Sequence, residues 1–230
     1  MAITDNTLLF LAAVVAISTT GVMMPGPVMA ASMAKGLKSR WSGIQVALGH
    51  GVVEFPTIAL IYLGFSTVLK DPRVSVTIGL LGGALLLYMG ATLVISRKAQ
   101  AAKMKKAQGS KVKKKAKTVK DKDDPFPYPP LVAGIITTAT NPYFFLWWAT
   151  LGAALILNAV ALGLAILVVM SVLHWSIDLG WNGFIGYAVN RSKGLGRGKA
   201  YLAVFALCGI MMLAFGVWFI ASAVRTALGF

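Results

Sequence analysis

Residues 50–54 read HGVVE and residues 174–178 read HWSID. These two stretches hold the only histidines of the chain, His50 and His174. They also hold the only carboxylates inside its apolar segments, Glu54 and Asp178. A spacing of four puts both side chains of each pair on one face of a helix. An ionisable group at membrane depth costs about 2.5–3.5 kcal/mol even on lenient insertion scales, so it belongs to a bundle interior or a water-filled pathway. One such pair is open to a plain structural reading, with Glu54 locked to His50 and Asp178 locked to His174 or Asn182. Two pairs of the same form suggest an internally repeated membrane protein with a polar site at its middle.

Composition points the same way. The chain is 57% hydrophobic and 13% charged, with a mean hydropathy of +0.76, whereas soluble domains carry about 25% charged residues. The single cysteine, Cys208, excludes a disulfide framework and a cysteine-based metal site. A net charge of +15 raises the question of nucleic acid, and its distribution answers it. Twelve of the 22 basic residues lie between Arg97 and Lys122, and the rest flank apolar segments. The basic tract has no interleaved aromatics, so no nucleic acid is expected as a partner; weak attraction to lipid headgroups is the better secondary reading. The amino terminus lacks a basic leader and carries Asp5, and its apolar run from Leu8 to Met24 exceeds a signal core, so no cleavable signal is expected.

A spanning helix needs about 20 apolar residues. Six are predicted, at 7–33, 43–69, 74–96, 130–151, 159–189 and 200–224. The run from Leu131 to Leu173 is nearly unbroken, and about 43 residues at about 1.5 Å each would be twice the bilayer thickness. A hairpin is therefore expected near Gly152–Asn158. Nineteen basic residues fall in loops on one side and three (Lys70, Arg73 and Arg225) on the other. This bias predicts loops 1–2, 3–4 and 5–6 in the cytoplasm and both termini outside, in a multi-pass plasma-membrane protein. Three domains follow: a first three-helix repeat (1–96), a basic then Pro-rich cytoplasmic linker (97–129) and a second three-helix repeat (130–230). The basic part of the linker shows no apolar periodicity and is expected to be a disordered tether.

The halves match in order. Pro25-Gly26-Pro27 interrupts the first span and Asn141-Pro142 the fourth. The His/acid pairs come next, followed by Gly83 and Gly90 in one half and Gly209 and Gly216 in the other. The glycines predict close helix contact. Each half has three spans, so the second enters the bilayer from the opposite face. Proline removes a backbone donor and frees carbonyls one turn back, and such groups survive in a membrane only where they are buried or line a cavity. Broken helices at matched positions of inverted halves are the sequence pointer to a secondary transporter. The fold expected is all-α integral membrane, six transmembrane helices as two inverted three-helix repeats with helices 1 and 4 interrupted. The tryptophans Trp147, Trp148, Trp175 and Trp181 are read chiefly as anchors or packing groups.

These motifs together resemble the lysine-exporter (LysE/RhtB) family of amino-acid translocators. Pro25-Gly26-Pro27 looks like that family's hallmark at the end of the first apolar run. Gly49 followed by Glu54 resembles its second-helix Gly-x-x-x-Gly-acid pattern, with Val53 where a second glycine is usual. Asn141-Pro142 resembles its fourth-helix Asn-Pro motif, here followed by bulky aromatics. The resemblance implies export of amino acids or similar small metabolites, coupled to protons.

The pathway expected for substrate and ion is therefore Pro25, Gly26, Pro27, His50, Glu54, Asn141, Pro142, His174 and Asp178. Each buried acid would alternate between neutral and charged forms by exchanging one proton. The partners are an amino-acid substrate, protons and the lipid bilayer. No cofactor is required, and a homo-oligomer is left open. The alternative is a divalent metal cation transporter, since two carboxylates and two imidazoles could bind a metal. An enzyme fits poorly: no nucleophile constellation, metal-protease motif or phosphate loop is present.

Overall fold

A computed structural model describes residues 6–65, 71–109, 125–192 and 198–228. Among them every regular element is helical. The helices are α1 (Thr7–Val22), α2 (Pro27–Gly36), α3 (Ser42–Leu60), α4 (Pro72–Gly109), α5 (Pro130–Ala139), α6 (Pro142–Leu162), α7 (Leu164–Ser192) and α8 (Gly198–Ala227). Helix α3 ends in a π-helical turn, Ile61–Phe65, and α6 contains another, Trp148–Gly152. Five helices are long and apolar enough to cross a membrane, or six when α1 and α2, bent by 71° at their junction, count as one broken span.

Local sequence explains the breaks. Asn6 caps α1 by accepting from the Leu8 and Leu9 amides. Pro25 cannot continue that helix, and Pro27, with its fixed φ and no donor to lose, opens α2 at its first position. The second break repeats the device, with Asn141 as cap and Pro142 as first residue of α6. Pro130 likewise opens the short helix α5.

Two expectations need correction. The hairpin expected near Gly152–Asn158 is absent there; those residues lie inside α6, and the chain turns at Gly163, with φ +118. The reason is that α6 begins afresh after Asn141, and its 21 residues span a bilayer by themselves. The fourth span is thus a short α5 followed by a long α6, and the fifth is 164–192 rather than 159–189. The linker is also not disordered from its start, because α4 continues through 97–109 to Gly109. That stretch consists of Ala, Lys, Gln, Arg and Met, all strong helix formers, and stops at a glycine. Residues 110–124 of the linker, Lys70, Lys193, Arg197 and Asp5 lie outside the described residues.

Large apolar side chains lie on the outside as well as in the core, and a group of polar side chains is buried among them. Leu63, Leu81, Tyr88, Leu157, Val168 and Val217 are exposed, while Ser18, Ser32, Glu54, Thr138, His174, Asp178 and Asn182 are buried. This suits a bilayer exterior and a polar site enclosed by an apolar core.

Backbone approaches set the packing. Helix α3 sits between α5 and α7. A methyl group added at Gly49 would lie 2.0 Å from the Leu131 carbonyl oxygen, and one at Gly134 would lie 2.0 Å from that of Val46. On the other side, one at Gly43 would lie 2.0 Å from the Asn182 carbonyl. Helices α4 and α8 form a second tight pair. There, methyls at Gly83 and Gly90 would meet the carbonyls of Gly216 and Gly209 at 3.0 and 2.8 Å. The four glycines expected to permit close contact therefore face one another, as small residues do where membrane helices pack backbone to backbone.

Candidate functional site

Helices α3 and α7 carry the two His/acid pairs, and their close contact brings all four side chains together. The shortest contact is between pairs rather than within one: His174 Nε2 lies 2.9 Å from Glu54 Oε1. His50 Nε2 lies 3.4 Å from the same oxygen. Asp178 stands slightly farther off, with Oδ2 3.5 Å from His174 Nε2 and Oδ1 3.7 Å from His50 Nε2. The Glu54 side chain is fully buried and the other three nearly so.

The outer nitrogens of the imidazoles are held by the broken spans. His50 Nδ1 lies 2.8 Å from Thr138 Oγ1 in the last turn of α5. His174 Nδ1 lies 2.7 Å from Ser18 Oγ near the end of α1. The Thr138 hydroxyl donates its proton to the Gly134 carbonyl, so its oxygen is the acceptor for His50 Nδ1–H. A neutral His50 then turns the lone pair of Nε2 toward the carboxylates, so an added proton has a defined place among Nε2, Glu54 and Asp178.

Aromatic rings close the site. Trp147 lies over the His174 ring with centroids 4.9 Å apart, and Trp148 meets it edge-on at 5.1 Å. Phe144 presents an edge to His50 at 5.6 Å. The four polar residues, both helix breaks and these aromatics line one cavity of about 790 Å³ of empty space, counting its open part. Pro25, Gly26, Pro27, His50, Glu54, Asn141, His174 and Asp178 all border it. Pro142 does not; it faces away, where a methyl at Gly82 of α4 would meet its ring at 2.9 Å. Within the cavity region Glu54 Oε2, Asp178 Oδ2 and Trp147 Nε1 have no hydrogen-bond partner among the described residues.

Several of these residues escaped the sequence reading. Trp147 and Trp148 were expected to be anchors or packing groups but border the cavity; their position directly after the Asn141-Pro142 break was the available signal. Ser18 carried no signal of its own, because the neighbouring Thr19 and Thr20 return their hydroxyls to α1 carbonyls.

A family profile described as LysE type translocator matches residues 19–223. The chain belongs to the LysE type translocator family. No curated protein and no solved structure shows significant similarity to it. The resemblance carried by the Pro-Gly-Pro, Gly/Glu and Asn-Pro motifs is thus correct at the level of family. As a LysE type translocator the chain is a multi-pass membrane transporter of a small molecule, and not an enzyme. The profile covers both helix breaks and the whole His/acid cluster.

Proposed function

We propose that this translocator exports amino acids or similar small metabolites across the plasma membrane in exchange for protons. The observation that carries the reading is the cluster of two carboxylates and two imidazoles bordering a cavity at both helix breaks. A cavity of this kind at the meeting point of discontinuous helices is where secondary transporters bind substrate and coupling ion. Loading a proton onto the His50–Glu54–His174–Asp178 cluster changes its net charge by one, and so changes what it can hold next.

The reading includes two inverted halves with both termini outside. Reciprocal contacts support a two-fold relation between the halves, and the odd number of spans in each half is what makes it an inversion. If α3 and α7 are equivalent, the contact His174–Glu54 has its counterpart in His50–Asp178, and His174–Ser18 in His50–Thr138. Likewise Gly83–Gly216 has its counterpart in Gly209–Gly90. The equivalence is loose in length, since α1 has 16 residues and α5 has 10.

Purified protein in vesicles tests the function. Vesicles with an acid interior should accumulate some members of an amino-acid panel as protons leave, and collapse of the pH gradient should abolish accumulation. Accumulation indifferent to the gradient would reject proton exchange. A second reading is kept by one observation: His50, Glu54 and Asp178 offer ligand atoms within 4.8 Å of one another. A divalent cation as cargo would need these atoms to draw closer, to about 2.0–2.2 Å from the ion. Saturable manganese or zinc uptake by the same vesicles, with amino acids inert, would favour it.

A further inference from the structure

The two helix breaks look equivalent in the sequence, but they are unlike in their free donors. At the second break Asn141 Oδ1 accepts from the Tyr143 amide, and the Asn141 carbonyl accepts from Phe144. At the first break the cap residue is Gly26, which has no side chain to offer, and the ten-residue helix α2 starts without a side-chain cap. The Ala30 amide bonds the Gly26 carbonyl, whereas the Val28 and Met29 amides have no partner among the described residues. Both residues border the cavity. Unsatisfied first-turn amides together with the positive end of the helix dipole attract a carboxylate.

An independent feature of the same cavity points to the same ligand. The indole Nε1 of Trp147 is buried and has no hydrogen-bond partner, although a buried N–H that is left unpaired costs about 1–3 kcal/mol. A methyl at Gly21, another cavity residue in the last turn of α1, would lie 2.8 Å from this nitrogen, which fixes it beside the first break. Among the described residues that border the cavity, the other buried side-chain atoms without a hydrogen-bond partner are carboxylate oxygens of Glu54 and Asp178. The cavity thus offers free donors from the first break and from Trp147, and free acceptors at the acid cluster.

Most of the remaining lining is apolar; Asn141, Tyr143 and Asn182 are the polar residues among it, and the two asparagine oxygens are taken up by the Tyr143 amide and the Ser32 hydroxyl. Leu86, Met212, Phe215, Phe144 and Trp148 border the cavity, and among the described residues no lysine or arginine does. The two acids already have imidazole partners within 3.7 Å. With Glu54 given to the α-ammonium, a second cation would have to compete with both imidazoles for Asp178, an anionic side chain would find no lysine or arginine among the described lining residues, and either would lose its hydration to an aromatic wall.

The geometry points to a zwitterionic amino acid with an uncharged apolar or aromatic side chain as the substrate class. Its carboxylate is held by the Val28 and Met29 amides and the Trp147 indole, and its ammonium by Glu54. The inference rests on the amino-acid export reading and narrows it. One α-amino acid places an anion and a cation on adjacent carbons, which matches donors and acceptors sharing one small cavity, and leaves the side chain to the ring-lined wall.

Binding of labelled L-phenylalanine, L-lysine and L-glutamate to the purified full-length protein tests the inference, with L-leucine and L-phenylalaninamide as competitors. Phenylalanine should bind, leucine should compete with it, and lysine and glutamate should bind at least about tenfold more weakly. Phenylalaninamide keeps the ring and the ammonium but lacks the carboxylate, and should compete at least about tenfold more weakly than phenylalanine. Trp147→Phe keeps the ring and removes the N–H. It should weaken phenylalanine by about tenfold while leaving phenylalaninamide unchanged. Lysine or glutamate binding as tightly as phenylalanine overturns the substrate class but leaves amino-acid export standing. Phenylalaninamide competing as well as phenylalanine overturns the carboxylate grip, and the unaltered protein alone suffices for that comparison. Failure of every amino acid to bind a protein that keeps its helical circular dichroism overturns both readings.

Discussion

Glu54→Gln separates the driving force of transport from transport itself. Glutamine keeps the shape of the side chain and can still face His174, but it cannot take up or release a proton. The contact at issue is 2.9 Å long and fully buried. A charge-assisted bond contributes about 1.5–3 kcal/mol and a neutral one about 0.5–1.5 kcal/mol, so the exchange costs about 1–2 kcal/mol of stability. In a chain of this size that is a fall in melting temperature of about 2–8 °C, and the protein should remain folded. The functional effect should be far larger. Each unit of pH difference supplies about 1.36 kcal/mol per exchanged proton, or about tenfold accumulation. Vesicles with the unaltered protein and an interior one unit more acid should therefore concentrate substrate about tenfold if one proton is exchanged. With Glu54→Gln the ratio should fall to one, while exchange of labelled for unlabelled substrate at equal pH persists. Full pH-driven accumulation by a folded Glu54→Gln protein would make the carboxylate structural and defeat the mechanism.

Thr138→Val removes the acceptor that orients His50, and should lower proton-driven transport by about tenfold; Thr138→Ser, which restores an acceptor, should recover most of it, measured in the same vesicles. Gly134→Leu would drive a side chain into the Val46 carbonyl, where even a methyl lies at 2.0 Å, and should cost more than the about 1–3 kcal/mol of ordinary overpacking, read as loss of monodisperse protein after extraction. Deleting ten residues within 110–124 should leave transport largely intact, since loop length changes closure free energy by only about 0.6 kcal/mol per doubling. A cysteine placed at position 110 on a Cys208→Ala background should resist an impermeant external reagent in intact cells, and ready labelling there would reverse the orientation.

The cluster itself was legible because its signal is local in the chain. A histidine and an acid four apart share a helix face, and membrane depth gives such groups only the interior to occupy. What the spacing could not convey is that the shortest contact crosses from α7 to α3, joining His174 to Glu54, because that depends on two glycine-lined helix approaches remote in sequence. The α6 boundary was misplaced for a simpler reason. Hydropathy alone sees an even apolar run from Leu131 to Leu173, and it does not register that Asn141-Pro142 restarts a helix with its own full span. The helical extension to Gly109 was missed because a helix made of Lys, Ala and Gln has no apolar face to detect, and its formation rests on intrinsic propensity. The glycine pairs on α4 and α8 were the reverse case, a spacing that translated directly into contact.

Helix α2 is short, yet it is bolted at three points. Its Ser32 hydroxyl donates to Asn182 of α7, and the Gly36 carbonyl accepts from Asn190 of the same helix. Lys35, buried, donates to the Phe126 carbonyl just ahead of α5. Two of these bolts reach the helix that bears His174 and Asp178. Neither helix can therefore slide along the other without breaking both bonds, so α2 and α7 form one bracket around the site. The third bolt clamps that bracket to the Pro-rich stretch that leads into α5, so the entry to α5 is anchored to the same helix that opens the first break.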